Sequence, residues 1–196
     1  MPDPQQESVF CLAFGVSKLV SRCLTLLLFS FSLALTAEQS YKVGDRGPAG
    51  GIVFYDKGEF TDGWRYLEAA PHDASQGSSW SVGNADVKVK TENGIGTGKA
   101  NTKAIIAAQG DGDYAALLCR SLTTGGYHDW FLPSRAELEL LWTVLGKNGL
   151  GGFDKKWYWS STRGKAGAVA WYQSFFNGET IGIKTLQLNV RAVRSF

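Results

Sequence analysis

The chain has 196 residues, of which 44% are hydrophobic, 13% aromatic and 19% charged, with a formal net charge of +2. So many aromatic residues and so little net charge exclude an intrinsically disordered chain, and the lack of Gly-X-Y triplets and heptads excludes the collagen and coiled-coil classes. Because lysine and arginine form no cluster along the sequence, we expect no nucleic-acid partner.

The first segment of the chain has the pattern of a secretory signal peptide. Two basic residues, Lys18 and Arg22, precede an apolar run, Leu24–Leu35, and Ala37 supplies a small residue for cleavage. Glu38 ends the run well short of the roughly 20 apolar residues that a transmembrane helix needs. We therefore predict export to the cell surface, the periplasm or the medium, with a retained membrane anchor as the alternative.

Cleavage at this point would leave residues 38–196 as a single domain without disulfides. Residues 1–37 include Cys11 and Cys23, so that Cys119 is the one cysteine left, and a lone thiol cannot form an intrachain bond. The domain must then be stable through packing alone, to which its 7 Trp and 7 Tyr contribute large buried areas.

The first part of the predicted domain consists of strands and loops. Residues 44–51 are rich in glycine and are typical of turns, while Ile52–Tyr55 and Trp64–Ala70 are apolar runs that predict two strands. Residues 72–98 are rich in Ser, Gly and Asn and indicate long loops.

Two helices are predicted after these loops. Asn101 is a candidate N-cap for a helix over Thr102–Gln109. Asp113 is a candidate N-cap for a second helical stretch that reaches Leu122.

A third helix is predicted from a capping box. Ser134 is followed three residues later by Glu137, so that the hydroxyl can accept a backbone amide while the carboxylate reaches back. Gly146 is expected to end this helix. Its apolar stripe comprises Leu138, Leu140, Leu141, Trp142 and Leu145.

After Gly152 the pattern changes from helices to strands. The strongest turn signal in the chain, Asn177-Gly178, predicts a two-residue type I′ turn between two of these strands. Because helices come first and strands close the chain, we predict a single α+β domain that ends in an antiparallel meander. The candidate strands are Trp157–Ser161, Ala168–Phe176, Thr180–Leu186 and Val190–Arg194.

The motifs that could carry chemistry each have a simpler explanation. Gly94–Lys99 is glycine-rich, but Asn93 and Ala100 occupy the positions where a phosphate-binding loop needs Gly and Ser or Thr. A glycine-rich loop that leads into a helix explains it better. Cys119 lies among small apolar residues and is expected to belong to the core.

No metal or cofactor site is predicted. His72 and His128 are far apart and lack the spacing of zinc ligands, so that hydrogen bonding within loops is their expected role. Asp111 and Asp113 could contact calcium, but an EF-hand loop needs more oxygen ligands and a terminal Glu. Asp113 is therefore interpreted first as a helix cap, no cofactor is expected, and calcium binding is left open.

The predicted C-terminal hairpin has two faces that are both partly apolar. One face carries Trp171, Gln173, Phe175, Thr180, Gly182 and Lys184, and the other carries Tyr172, Ser174, Phe176, Glu179, Ile181 and Ile183. A two-residue loop would pair residue 176 with 179, 174 with 181 and 172 with 183. Periodicity alone favours burial of the face with Tyr172. Because both faces are partly apolar, the sheet is either covered on both sides or exposes an apolar patch for binding.

A series of segments occurs in an order and spacing that resembles a known family. They are Gly44–Tyr55, Gly63–Pro71, Ile95–Thr102, Gly125–Ser134, Glu137-Leu138, Tyr158–Thr162, Ala170-Trp171, Phe175, Gly178 and Val190–Arg194. The segments from Gly125 onwards resemble the Lcl C-terminal-domain family, named after a bacterial collagen-like adhesin. The three earlier segments resemble N-terminal extensions found with this domain in secreted bacterial proteins. The resemblance covers nearly all of residues 42–196.

This resemblance implies a C-type lectin-like fold of the formylglycine-generating-enzyme subtype, with two or three helices on a small twisted antiparallel sheet and long loops. It also implies similarity to retroelement-diversified ligand-binding proteins, whose C-terminal strands carry the ligand face. Trp171 and Phe175 would then point inwards, opposite to what periodicity favours. The ligand-binding residues implied in this way are Tyr172, Ser174, Phe176, Glu179, Ile181 and Ile183.

The function implied by the resemblance is that of an exported, non-enzymatic module for ligand binding or adhesion. Its partner would be a host or other extracellular protein or a glycan, with membrane contact only through export or envelope association. The calcium-binding triplets of lectins are absent, and so is the cysteine pair of the enzyme subtype. A structural domain of the cell envelope and a secreted enzyme on the same scaffold are the alternatives.

Overall fold

Three α-helices and two small β-sheets make up the described part of the chain, residues 39–164, 170–182 and 186–196 of a computed structural model. The predicted α+β class is therefore confirmed. Tyr41–Phe196 forms one compact unit. The predicted signal peptide, with its cleavage site, and Ile183 lie outside the described residues.

The first sheet brings the two ends of this unit together. β1 (Ile52–Thr61) and β2 (Trp64–Ala69) form an antiparallel hairpin, and β8 (Val193–Ser195) pairs with the other edge of β2. The turn Asp62-Gly63 has φ values of 52° and 79°, and positive φ at both residues is what a type I′ turn requires. β1 extends beyond the predicted run Ile52–Tyr55, because this turn carries the pairing into exposed polar residues.

The second sheet has five strands, which are β3 (Ser75–Ser78), β4 (Trp157–Arg163), β5 (Ala170–Ser174), β6 (Thr180–Gly182) and β7 (Leu188–Val190). Their order across the sheet is β3-β7-β4-β5-β6. The predicted antiparallel meander is confirmed for β4, β5 and β6. It is wrong for the last strand, because the chain leaves the edge strand β6 and returns across the sheet, where β7 runs parallel to β4. The predicted strand Val190–Arg194 is divided, and its second part joins the first sheet as β8.

The first two helices, α1 (Gly98–Gln109) and α2 (Ala115–Arg120), contact one another. α1 begins earlier than predicted, so that Asn101 lies inside the helix and is not its cap. The Asn101 side chain instead binds the backbone N–H and C=O of Glu92, at 2.8 and 2.7 Å. Asp113 does not cap α2 either, because the N-cap position is occupied by the next residue and has no side-chain hydrogen bond.

The third helix, α3 (Arg135–Leu140), confirms the predicted capping box. The Ser134 hydroxyl accepts the backbone N–H of Glu137 at 3.2 Å, and Glu137 Oε2 accepts the N–H of Ser134 at 2.7 Å. Both bonds lie within four consecutive residues, and a sequence pattern can predict such local pairs.

The predicted end of this helix at Gly146 is wrong. A π-helical turn, Leu141–Leu145, continues α3, and a 3-10 turn, Gly146–Asn148, follows it before Gly149 ends the segment with a φ of 68°. Gly146 is needed for packing, because a Cβ at this position would lie 2.7 Å from the ring of Phe175. Its lack of a side chain therefore serves contact with the C-terminal hairpin, and not helix termination.

Both faces of the second sheet are covered by clusters of buried side chains. One cluster joins α1 and α2 to the face that carries Trp159 and Tyr172. The other joins α3 and the first sheet to Tyr158 and Phe175. Two-sided burial explains why both faces of the hairpin are partly apolar in the sequence.

Candidate functional site

The turn of the C-terminal hairpin is longer than the two-residue turn predicted at Asn177-Gly178. The Ser174 N–H donates to the Glu179 C=O at 2.8 Å, which leaves residues 175–178 as the loop between β5 and β6. Gly178 has a φ of 80°, but Asn177 is not left-handed, so that the turn is not of type I′. The pairing of the two strands is shifted accordingly from the predicted register.

The predicted outward orientation is wrong for two of the proposed ligand-binding residues. Tyr172 and Ser174 are buried, whereas Phe176 and Glu179 are exposed. Periodicity, which favours burial of Tyr172, predicts this part of β5 correctly, and the resemblance does not. The cause is the covering of both sheet faces, which leaves β5 no solvent side at these positions.

The two residues that the resemblance expects to point inwards are buried to different degrees. Phe175, expected to point inwards, is buried, and Trp171 is half-buried, with the guanidinium of Arg135 3.9 Å from its ring centroid. Ile181 belongs to β6, and Ile183 lies outside the described residues, so that their part in a ligand site stays a prediction.

Two tryptophan rings hold Tyr172 in the core. Its ring centroid lies 5.2 Å from that of Trp157 and 5.4 Å from that of Trp159, and both contacts are edge-to-face. Burial also raises the pKa of the Tyr172 hydroxyl. This side chain therefore stabilises the fold and does not form a surface for a ligand.

The Ser174 hydroxyl determines the path of the turn backbone. It accepts the N–H groups of Phe176 and Asn177, both at 3.2 Å, and the Gly178 N–H donates to the Ser174 C=O at 3.0 Å. A serine that bonds to nearby amides competes with regular strand pairing. Ser174 thus positions the residue at the tip of the turn, although it is not itself exposed.

Phe175 anchors the turn from below. The centroid of its ring lies 4.5 Å from that of Tyr158, 4.7 Å from that of Phe153 and 5.6 Å from that of Trp142. Full burial of a phenylalanine contributes roughly 1.5–3 kcal/mol. This burial favours the longer loop, in which Phe175 turns into the core.

Three exposed residues of the turn, Phe176, Asn177 and Glu179, form what we call the turn surface. Asn177 Nδ2 donates to the Glu179 carboxylate at 3.1 Å, and the Glu179 N–H donates to Asn177 Oδ1 at 3.2 Å. Trp142, which belongs to the predicted apolar stripe of the third helix, is half-exposed. It lies against this turn, because a Cβ at Gly178 would be 2.6 Å from its Nε1. The exposed Phe176 is therefore followed directly in the chain by a hydrogen-bonded polar pair.

Two buried arginines bind carboxylates elsewhere in the fold. Arg191 Nε donates to Asp73 at 2.5 Å. Arg194 donates to Glu68 at 2.7 Å and to Asp129 at 2.8 Å. These ion pairs join residues that are far apart in the sequence, so no local pattern predicts them.

The groups with strongly shifted pKa values are enclosed by protein. Burial raises the pKa of the Cys119 thiol, and Cys119 is fully buried on α2, which confirms the predicted core position. Burial raises the pKa of Glu137 to about 7. Burial also raises the pKa of Glu68, although the nearby Arg194 opposes this shift. None of these three acidic groups is open to solvent.

The glycine-rich segment Gly94–Lys99 leads into α1, as predicted, and its amides have an internal partner. Glu137 Oε1 accepts the N–H of Gly96 at 2.7 Å and that of Gly98 at 3.4 Å. A Cβ at Gly98 would lie 2.3 Å from Glu137 Oε2, so that the close approach requires glycine. Within the described residues, no three His, Cys, Asp or Glu side chains are grouped so that they could hold a metal ion.

No protein-family model matches the chain, and no curated protein is significantly similar to it. Among residues 39–164, 170–182 and 186–196, no helix has both the length and the apolar composition required to cross a bilayer. The functional assignment therefore depends on the geometry of the turn surface.

Proposed function

We propose that this chain is an exported bacterial module for ligand binding or adhesion, without enzymatic activity, that recognises a protein or a glycan through the turn surface. The observation that carries the proposal is Phe176, which is 70% exposed at the tip of a turn that Ser174 and Phe175 hold in place. A large aromatic side chain exposed on a fixed turn is the kind of group that anchors a binding partner.

The internal hydrogen bonds and aromatic contacts of the turn support this proposal further. Ordering a side chain or loop on binding costs roughly 0.5–1.5 kcal/mol for each immobilised side chain, and a turn that is already ordered avoids part of this cost. Asn177 and Glu179 supply the polar rim that interfaces place around an aromatic anchor. Tyr172 and Ser174 act as positioning residues, and Ile181 and Ile183 are kept as proposed contacts.

We also propose that the chain belongs to the Lcl C-terminal-domain family and has its C-type lectin-like fold. Residues of the segments that carry the resemblance have structural tasks here: Trp130 is buried, Ser134 caps α3, and Arg191 and Arg194 bind buried carboxylates. The α+β class is compatible with that fold. An experimental structure that did not superpose on a C-type lectin-like domain would contradict this part of the proposal.

Replacing Phe176 with Ala is expected to weaken binding of the partner at least about tenfold, without lowering Tm. Binding is lost because the ring would be buried in the complex, whereas in the free protein it contributes little to the core. The measurement screens a chain that begins at Glu38, and so keeps the compact unit Tyr41–Phe196. It uses an array of glycans and extracellular proteins, with and without calcium.

Phe60→Ala is the matched control, because Phe60 is 60% exposed on the β1–β2 hairpin. Tyr172→Ala is expected to lower Tm, as the loss of a buried ring does. Binding that survives Phe176→Ala, or that Phe60→Ala removes to the same extent, contradicts the turn surface. A folded chain that binds no array ligand but associates with itself, and loses this self-association in Phe176→Ala, would favour a structural envelope domain. Chemical turnover of an array ligand would favour an enzyme.

Export is expected to yield a protein whose first residue is Glu38. The apolar run Leu24–Leu35 after Lys18 and Arg22 supports this, because it has the length and charge pattern of a signal peptide. Intact-mass measurement on the envelope and medium fractions of the producing cell checks the prediction. Recovery of the whole chain with the uncleaved segment from the cytosol would contradict export.

A further inference from the structure

A cleft of about 440 Å³ is lined by α1, the last residue of α2 and residues 129–131, and shares no residue with the turn surface. Lys99 and Lys103, one helical turn apart on α1, line one side, and Arg120 at the end of α2 lines the other. Its floor is formed by Ile106, Trp130 and Phe131, of which Ile106 is half-buried and the two aromatic residues are buried. We call this feature the basic cleft, and its volume lies within the roughly 300–1,000 Å³ of small-molecule pockets.

The basic cleft carries an excess of positive charge. Its one acidic side chain, Asp129, accepts from Arg194 Nε at 2.8 Å, which offsets part of its charge, and the three cations of the lining outnumber it. Lys99 and Lys103 are exposed and form no ion pair with any residue that the structure describes. Arg120 donates to a neutral backbone carbonyl. Three cations around one cavity favour an anionic occupant.

The floor of the basic cleft presents carbon atoms and few hydrogen-bonding groups. Trp130 Nε1 already donates to the Thr124 C=O at 3.2 Å. The backbone N–H and C=O of Phe131 both bind Val193, at 2.8 and 2.9 Å. The hydroxyls of a sugar would stay unpaired on this floor, whereas an apolar body would cover the exposed part of Ile106 and the methylene chains of Lys99 and Lys103.

We propose that the basic cleft binds an amphipathic carboxylate, with its apolar body on the floor and its carboxylate between Lys99, Lys103 and Arg120. Hydrogen bonds between ionised partners are stronger than those between neutral groups. The lysines are therefore expected to decide how much more tightly the cleft binds a carboxylate than a neutral analogue. The same chemistry occurs on a free aryl or alkyl acid and at the C-terminus of a peptide that ends in an apolar residue. This site goes beyond the proposed function, because it is separate from the turn surface and takes its own class of ligand.

The test compares two carboxylates with their neutral amides, by calorimetric titration of the full chain. The probes are 2-naphthoate against 2-naphthamide, and N-acetylglycylphenylalanine against its C-terminal amide. At least one carboxylate is expected to bind about tenfold or more tightly than its amide. The Lys99→Gln/Lys103→Gln variant is expected to lose this preference, and Lys147→Gln/Lys155→Gln, which alters exposed lysines elsewhere, is expected to keep it.

Preference for 2-naphthoate supports a free acid as the ligand, and preference for the peptide acid alone supports a peptide C-terminus. The proposal is overturned if the folded chain binds neither carboxylate, if acid and amide bind equally, or if the preference persists in Lys99→Gln/Lys103→Gln. Phe176→Ala is expected to bind the carboxylates like the unaltered chain. Failure at the turn surface and failure at the basic cleft are therefore distinguishable.

Discussion

Replacing Arg191 with Met is expected to lower the free energy of unfolding by about 3–5 kcal/mol. The residue is 1% exposed, and its Nε donates to Asp73 at 2.5 Å. Its terminal nitrogens donate at 2.7–3.1 Å to the backbone C=O groups of Ala70, Gly151 and Gly152. Methionine fills a similar volume without a donor, so that Asp73, whose side chain is 9% exposed, would keep its negative charge without its cation and three carbonyls would lose a partner.

Urea denaturation of the purified chain measures this loss. Arg46→Met is the matched control, because Arg46 is exposed, and a change within about 0.5 kcal/mol is expected there. Arg191→Lys is expected to fall between the unaltered chain and Arg191→Met, because it restores the charge but not the planar set of donors. Equal stability of Arg191→Met and Arg46→Met would show that the buried ion pair does not support the fold.

Replacing Glu137 with Gln is expected to lower the free energy of unfolding by about 1–3 kcal/mol. The buried carboxylate accepts the N–H groups of Gly96 and Ser134, both at 2.7 Å, with one oxygen for each. A glutamine amide offers one oxygen and one NH₂ group, so that one of these two backbone donors would face another donor. The glycine-rich loop would then lose part of its attachment to α3.

The same substitution is expected to change how stability depends on pH. Burial raises the pKa of the Glu137 carboxyl from 4.5 to about 7. The folded state therefore holds this proton more tightly than the unfolded state, and the resulting stabilisation is complete below pH 4.5 and is lost as pH rises to about 7. Between these values one such group contributes a slope of up to about 1.4 kcal/mol per pH unit, which Glu137→Gln removes.

Urea denaturation at a series of pH values between 4 and 8, roughly the range over which such a group titrates, measures both effects. Glu139→Gln is the matched control, because Glu139 lies on the same helix and is exposed. It is expected to keep the slope of the unaltered chain. A slope that is the same in Glu137→Gln as in Glu139→Gln would contradict the raised pKa.

Features that depend on neighbouring residues were predictable from the sequence. The capping box of Ser134 and Glu137 lies within one helical turn, and strand β2 covers almost the whole of the predicted run Trp64–Ala70. The core position of Cys119 follows from its small apolar neighbours. In each case the atoms that decide the structure belong to the segment itself.

The C-terminal turn shows where this reasoning fails. Asn177-Gly178 favours a two-residue turn locally, but the aromatic contacts of Phe175 with Tyr158 and Phe153 favour a longer loop. Those partners lie on other elements, and a turn motif contains no information about them. For the same reason Asn177 and Trp142 were missed as neighbours of the candidate site.

The burial of each hairpin face depends on the elements that cover it. Tyr172 and Phe175 are aromatic residues on opposite faces of the hairpin, and the alternating pattern of a strand predicts burial of only one of these faces. The structure buries both residues, because α1 and α2 cover one side of the second sheet and α3 with the first sheet covers the other. Phe176, by contrast with Tyr172 and Phe175, is exposed.

By itself the sequence determined the α+β class, the capping box of α3 and the core position of Cys119, since composition, local hydrogen bonds and periodicity act over a few residues. Only the tertiary structure decided the order of the strands, the partners of Arg191 and Arg194, and which hairpin residues reach solvent. The physical reason is that burial and ion pairing depend on atoms brought together from distant parts of the chain, as Arg191 and Asp73 are.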